Sequence, residues 1–518
     1  MRKIIELILL PQQAANSEEI KMAAAKVCRV NPSAIQHINH LRRSIDARSK
    51  QVKILLKAEV FINESPEISG LKYEWKPVDG KKEVLVIGAG PAGLFAALGL
   101  IERGIKPIIL ERGKMISERK KDVAQLYRTQ QVNPDSNYCY GEGGAGTYSD
   151  GKLYTRSSKR GDVNKILGIF VAHGADPDIL VDAHPHLGTN KLPGLITAMR
   201  ETILQAGGEF HFQTKVVDFI IHEHKFLGVI DQNGKEYRAS ATILASGHSA
   251  RDIYYLLDKK GITIESKDFA AGVRIEHPQQ LINTIQYHTP EKDPLLPTAA
   301  YSLVTQAENK GVFSFCMCPG GIIVPSATAS DEVVVNGMSN NMRNSPYANS
   351  GIVATIKVNE LKEYQKFGVF AGLQFQQDLE RMAHVAGGKS QKAPAQRMID
   401  YVNNRMSADL PENSYLPGVT NAPLHELMPK YINEPLRKAF LDFGKKMRGY
   451  YSHDAIILGV ESRTSSPIRI PRNNETMEHI EIAQLYPVGE GAGYAGGIVS
   501  SAMDGENAAE KISQILNH

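Results

Sequence analysis

Hydrophobic and polar positions along the first sixty residues predict a small α+β unit. Ile4 to Leu10 reads as a strand, and Ser17 followed by Glu18-Glu19 opens a helix through about Cys28. After the turn Asn31-Pro32-Ser33, Ala34 to Ala47 and Gln51 to Ile62 read as two strands joined by Arg48-Ser49-Lys50. Asn63 to Lys82 is polar and punctuated by Pro66, Gly70, Pro77 and Gly80, so it reads as a linker, with the tryptophan Trp75 packing it against a neighbour. A strand–turn–helix–strand unit then fills 83–111. Lys114 to Tyr138 reads as polar helix and loop, Gly141 to Gly146 as a second glycine-rich turn, and Leu192 to Gly207 as an amphipathic helix. The strand His211 to Ile220, a hairpin with Asn233-Gly234 at its tip and the strand Ala241 to Ala245 follow. Residues 268–340 alternate short apolar runs with turns and suggest an antiparallel sheet, and 353–445 read as mostly helical. Strand and turn signals resume up to Pro487, and a last helix starts near Gly497. No internal repeat appears. The expected division is 1–62, a linker at 63–82, 83–252, 253–450 and 451–518.

Composition changes this picture little. With 518 residues, 42% hydrophobic and 22% charged, the chain belongs with globular proteins. Its net charge of +4 sits wholly in residues 1–80, which carry 13 basic and 9 acidic side chains; the remainder has 47 of each. A protein-wide basic field suited to DNA is therefore absent. Arg42, Arg43, Arg48, Lys50 and Lys53 cluster on the N-terminal hairpin, either as a solvated face or as a surface for RNA. The opening apolar run is short and interrupted by Glu6, and no stretch approaches the length of a membrane span, so we expect a soluble, cytoplasmic protein. Four cysteines without a CxxC pair read as reduced thiols.

The chemistry begins at residue 84. The strand Val84-Leu85-Val86-Ile87 runs into Gly88-Ala89-Gly90-Pro91-Ala92-Gly93, a helix follows to Arg103, and the strand Pro107 to Leu110 ends at Glu111, with Arg112 beside it. Gly88 permits the tight turn, Gly90 lets a pyrophosphate approach the backbone, and Gly93 lets helix and strand pack closely. Glu111 lies about twenty residues beyond the glycines, where a carboxylate accepts hydrogen bonds from ribose hydroxyls and repels a 2′-phosphate. This is a dinucleotide cradle. On its own it fits NAD or FAD.

Far downstream, Leu485-Tyr486-Pro487-Val488-Gly489-Glu490-Gly491-Ala492-Gly493 leads through Gly497-Ile498 into the last helix, and Ala241 to Ala245 ends in Ser246-Gly247-His248. This triple arrangement resembles the glutathione-reductase-type FAD superfamily over residues 83–252 and 451–518. The resemblance implies FAD, with the first cradle holding the ADP half and the second turn the ribityl chain. It places Glu490 where an Asp usually binds a ribityl hydroxyl, Gly497 and Ile498 at the flavin pyrimidine edge, and Val216 with Val217 on the strand that reads adenine. A helix N-terminus at that edge stabilises the negative charge of a reduced flavin. More closely, the chain resembles a family of bacterial FAD-dependent dehydrogenases without assigned substrates. The matching segments are Arg43 to Arg48, Gly141 to Leu153, Gly272 to Pro278, Phe315 to Gly321 and Glu461 to Pro467. The implied fold is α/β: a Rossmann-like FAD-binding domain with an inserted α+β substrate domain and a small N-terminal α+β domain.

Residues 253–450 would then cover the flavin and shape a pocket for a small-molecule substrate. No second glycine cradle for a nicotinamide domain is evident, although NAD(P)H as a transient donor without such a domain stays open. Arg463 suits a substrate carboxylate through its guanidinium fork, or else pairs with Glu461 to brace the domains. His248, Arg251, His277 and His453 are candidates for polar work, the histidines for proton transfer. Cys316 and Cys318, two apart, read as buried small side chains on one face of a strand, with a thiol at the pocket wall as the competing reading. Plain packing is the reading for Cys139, next to a thiol facing the flavin. Three functions compete: hydride exchange between a substrate and flavin N5, RNA-directed flavin chemistry, and a redox sensor without turnover.

Overall fold

The computed structural model describes residues 1–66, 73–155, 160–291 and 293–516. Part of the expected linker therefore lies outside the described residues. The fold is mixed α/β. Its centre is a five-stranded parallel sheet in the order 485–487, 241–244, 83–87, 106–110 and 209–211. Strand 83–87 takes the middle because four of its five residues, Val84 to Ile87, are buried, as a parallel strand covered on both faces requires. Helix Pro91–Glu102 is buried continuously from Ala92 to Ile101, packed between this sheet and helix Ile498–Leu516. The parallel ladder pairs Leu244 with Ile87 on one side and with Pro487 on the other. The two glycine-rich turns, some 400 residues apart in sequence, thus leave the sheet at the same end.

A seven-stranded sheet stands apart, ordered 304–307, 310–318, 347–356, 269–278, 456–461, 393–397 and 419–421. Its antiparallel core matches the reading of 268–340. Helix Gln279–Tyr287 was hidden there between short apolar runs. Helices Ala371–Ala386 and Lys430–Lys446 supply the expected helical region, but strands 393–397 and 419–421 interrupt it. Pro394 argues against a strand, yet it is paired with Thr420 within a parallel bridge. Strand 456–461 pairs with 269–278, so the chain returns to the parallel sheet only at 485–487.

The expected strand His211–Ile220 is broken. Gln213 adopts a positive φ of 52°, residues 209–211 close the parallel sheet, and 216–222 start a three-stranded antiparallel sheet with 225–231 and 236–238. At the N-terminus, strands 2–9, 53–62 and 35–46 form an antiparallel sheet carrying helix Ser17–Cys28. Asn16 caps that helix by accepting from Glu18 and Glu19 N–H. The sheet docks by its outer strand: Arg43 N–H donates to Val181 O at 2.8 Å, Ala183 N–H donates back to Arg43 O at 2.9 Å, and the Arg43 guanidinium meets Asp178 and Asp182. Trp75 stacks near Tyr73 and lies 4.8 Å from the His173 ring, packing its segment against the helical layer as expected.

Candidate functional site

A cavity opens at the carboxyl end of the parallel sheet. Open α/β sheets bind ligands at that end. Gly88 has φ +105°, and a Cβ there would lie 2.5 Å from Ala245 O, so the turn is pressed against the neighbouring strand. At Gly93 a Cβ would sit 2.0 Å from Gly88 O. Gly93 is thus a packing glycine and does not line the cavity, whereas Gly88, Gly90, Pro91 and Ala92 do. A Cβ at Gly90 would meet nothing nearer than 3.9 Å, so this turn leaves open the space a phosphate needs. The first amides of helix 91–102 lack intrahelical acceptors and carry the positive end of its dipole.

Glu111 closes this end, but with more work than the sequence shows. Its Oε1 accepts from Gly113 and Gly141 N–H at 2.9 and 3.0 Å, and its Oε2 from Ala89 N–H at 2.9 Å. A carboxylate offers about four acceptor positions, so one remains, on Oε2, for a ribose hydroxyl. Arg112 pairs with Asp252 and lies over the Tyr140 ring at 4.5 Å. Val216 and the unforeseen Thr214 line the cavity. Val217 does not: strand alternation turns it outward, and it is 44% exposed.

The second turn abuts the first. A Cβ at Gly489 would lie 3.1 Å from the Ala92 Cβ, and the Gly489 N–H donates to Asp504 at 2.7 Å. Asp504, itself paired with Arg472, had no sequence signal because it sits inside a helix with no motif around it. Ser246, Gly247, His248, Gly489, Glu490, Gly497 and Ile498 all line the cavity. His248 Nδ1 lies 3.1 Å from Glu490 Oε2, a pairing that occupies part of the carboxylate assigned to a ribityl hydroxyl.

The loop after Gly141 forms a third wall. Gly143 N–H donates to Ala89 O at 2.8 Å, fixing this loop against the first turn. Arg119, fully buried, organises it from behind by donating to the carbonyls of Asn137, Tyr138, Gly141 and Glu142. An arginine in a polar helix gave no hint of this.

Two expected catalytic residues are corrected. His277 lies outside the cavity, 0% exposed, with Nε2 2.8 Å from Tyr450 O and its ring 4.5 Å from the Tyr450 ring. Burial pushes its pKa down to about 4. Arg463 does reach the cavity wall, yet all five of its N–H donors are taken: Nε and Nη2 by Glu380, Nη2 also by Glu332, and Nη1 by Ser249 and Thr328. No fork remains for a substrate carboxylate. Its partners are not Glu461, which pairs with Arg274 at 2.9 Å. Arg463 and Arg251 instead share Glu332 and Glu380, a neutral buried quartet. Burial opposes the Glu380 charge, and the two guanidiniums outweigh it, holding its pKa below the usual range. His453 contributes only a backbone carbonyl, accepting from Arg397.

Cys316 and Cys318 do not share a buried face. The register of strand 310–318 shifts between Phe315 and Cys318, and Cys316 has φ +44°. Both line the cavity, but across this bulge Cys316 is exposed while Cys318 is buried with its Sγ 3.2 Å from Cys316 O. Cys139 lines the cavity and lies 3.6 Å from Ser326 Oγ. Among the described residues, no group of three His, Cys, Asp or Glu side chains could hold a metal, and no helix is long and apolar enough to cross a membrane.

Comparison with known proteins agrees with the cavity. Residues 81–132 match the FAD binding domain family, and residues 268–464 match the family described as FAD-dependent protein, C-terminal domain-like. Residues 1–61 match a domain family of unknown function. Among solved structures, halogenase PltM is 11% identical with a TM-score of 0.38, covering 85% of this chain and 70% of its own. L-proline dehydrogenase from P. horikoshii is 13% identical with a TM-score of 0.35, covering 84% and 94%. An uncharacterized protein of Clostridium beijerinckii is 38% identical over 520 residues, 96% of each chain. The chain therefore belongs to the family of that Clostridium protein, and in it an FAD binding domain is joined to an FAD-dependent protein C-terminal domain.

Proposed function

We propose that this protein is an FAD-dependent oxidoreductase of the glutathione-reductase-type superfamily that exchanges hydride with a small-molecule substrate. The observation that carries the reading is the meeting of two glycine-rich turns, Gly88–Gly93 and Gly489–Gly493, at one end of one sheet and on one cavity. FAD, when bound, supplies a hydride donor or acceptor at N5 of its ring. In this reading the turn at 88–93 and the helix start behind it hold the pyrophosphate. Glu111 and Arg112 frame the ribose and adenine end, Val216 and Thr214 pack it, and Gly497 with Ile498 faces the ring. The five-part division of the chain belongs to the same reading, residues 253–450 supplying most of the substrate wall.

In this reading His248, on the cavity wall beside Glu490, transfers the proton. With Nδ1–H donating to Glu490, the ring keeps a lone pair on Nε2 that can take a proton from a bound substrate. Arg463 acts as a positioning residue: the quartet it completes ties the cavity wall to strand 456–461 and helix 371–386. The basic hairpin offers less to RNA than its charge suggests, because Arg43 is engaged with Asp178 and Asp182 and Arg48 with Asp46.

The test is direct. Purified protein releases FAD on denaturation, and its flavin band bleaches anaerobically with NADH, NADPH or a member of a panel of organic acids, then recovers with an acceptor. Folded protein that binds no FAD overturns the reading.

A further inference from the structure

The cavity wall beyond the loop at 143–146 carries a cation whose charge is not matched. Lys152 reaches this wall with its side chain 25% exposed. Its backbone is fixed: Lys152 forms a bridge with His186, Leu153 N–H donates to Pro185 O at 2.8 Å, and Leu187 N–H donates to Gly151 O at 3.0 Å. The ammonium donates to Met317 O and lies 3.6 Å from Asp150 Oδ2. Asp150 is already engaged, since Arg343 holds it through Nε at 3.1 Å and Nη2 at 2.5 Å and the Ser339 hydroxyl donates to it. Lys152, Asp150 and Arg343 therefore bring two positive charges and one negative to one spot. Burial opposes the Lys152 charge and Asp150 outweighs it, so the ammonium persists well above neutral pH.

The other cations on the cavity wall are matched, and its carboxylates Glu111 and Glu490 are held by hydrogen bonds. Arg463 belongs to the neutral quartet, Arg112 pairs with Asp252, and Glu111 is held by three backbone amides. Asn336 also lines the cavity. Its Oδ1 accepts from Gly337 N–H at 2.7 Å, which leaves the Nδ2 donor. An ammonium and an amide donor in one cavity that Phe315 also lines suit an anion attached to an apolar body.

We propose that Lys152, assisted by Asn336, binds the carboxylate of the substrate, so that the enzyme acts on an organic acid. This rests on the function proposed above. It assigns to Lys152 the role that Arg463, saturated by Glu332 and Glu380, cannot perform. The same ammonium could serve a negative charge on the reduced flavin instead, and the experiment separates the two sources.

Holoprotein is titrated with benzoate and, as its neutral analogue, benzamide, followed by the flavin spectrum and by calorimetry. Benzoate binds at least tenfold more tightly than benzamide. Lys152→Met loses at least tenfold in benzoate affinity, Lys152→Arg keeps most of it, and Asn336→Ala loses severalfold, while FAD content and flavin midpoint potential stay at wild-type values. Equal binding of benzoate and benzamide, or undiminished benzoate binding by FAD-loaded Lys152→Met, overturns the proposal. So does a Lys152→Met variant whose flavin potential falls with benzoate affinity intact, which assigns the ammonium to the flavin. Wild-type protein without FAD would sink the oxidoreductase reading itself, a failure recognisable before any benzoate is added.

Discussion

At the scale of single residues, neighbours on one strand carry opposite proton linkages. Glu276 is buried, its pKa pushed up to about 7 by burial although Ser414 donates to it, and His277 is pushed down to about 4 by burial. The folded protein keeps the Glu276 proton better than the unfolded chain, so its contribution is present below about pH 4.5 and lost as pH rises through 7. His277 resists protonation, so its penalty begins below about pH 6.5 and grows until pH 4. Each shift corresponds to roughly 3 kcal/mol, and the two slopes nearly cancel between pH 4.5 and 6.5. Glu276→Gln should therefore lose stability on acidification across this window, and His277→Gln should lose it on alkalinisation. Urea unfolding at pH 4.5, 5.5 and 6.5 reads both signs, and flat profiles in both variants would contradict the burial argument. The first turn of the cavity was legible because its logic is local: Gly88, Gly90 and Glu111 lie within one strand–helix–strand unit. Arg463 was misassigned because its partners, Glu332 and Glu380, lie some 80 to 130 residues away on other elements, and nothing in a linear sequence ranks them above the adjacent Glu461. Simple alternation puts Cys316 and Cys318 on one face, and the bulge between Phe315 and Cys318 separates them, because one extra residue reverses which face a strand side chain takes.

At the scale of elements, the pairing of helices 91–102 and 498–516 decides whether the two glycine turns adjoin. A Cβ at Gly505 would come 2.0 Å from Ala92 O, whereas one at Gly99 would meet the Ala509 Cβ at 3.1 Å. The first contact is with backbone that cannot rotate away, the second with a methyl group. Gly505→Ala should cost about 1–3 kcal/mol and release FAD, and Gly99→Ala should cost less and keep it. Thermal midpoints and the flavin-to-protein absorbance ratio measure both; the reverse ordering would show that helix spacing does not set the site. The central strands and the glycine-bearing helix were readable from buried runs and punctuation. The seven-stranded sheet was readable only in its middle, because its flanking strands are short, one contains Pro394, and their pairing joins segments far apart in sequence.

At the scale of the whole molecule, the cavity takes its walls from both sheets and from residues 144–152, so a bound ligand touches several parts of the fold at once. A ligand that binds only the folded state adds stability by mass action, about 4 kcal/mol at a thousandfold excess over its dissociation constant. Removal of FAD should lower the thermal midpoint, and added FAD should raise it in a concentration-dependent way; a midpoint indifferent to FAD would mean that the cavity is complete without it. The position of strand 485–487 carries a further consequence for biosynthesis. It completes the sheet beside 241–244 and delivers the second turn, so a ribosome that has extruded only the first 480 residues presents half a cradle. A chain that stops short of strand 485–487 should therefore fail to retain FAD, because it lacks the turn that faces the first cradle across the cavity.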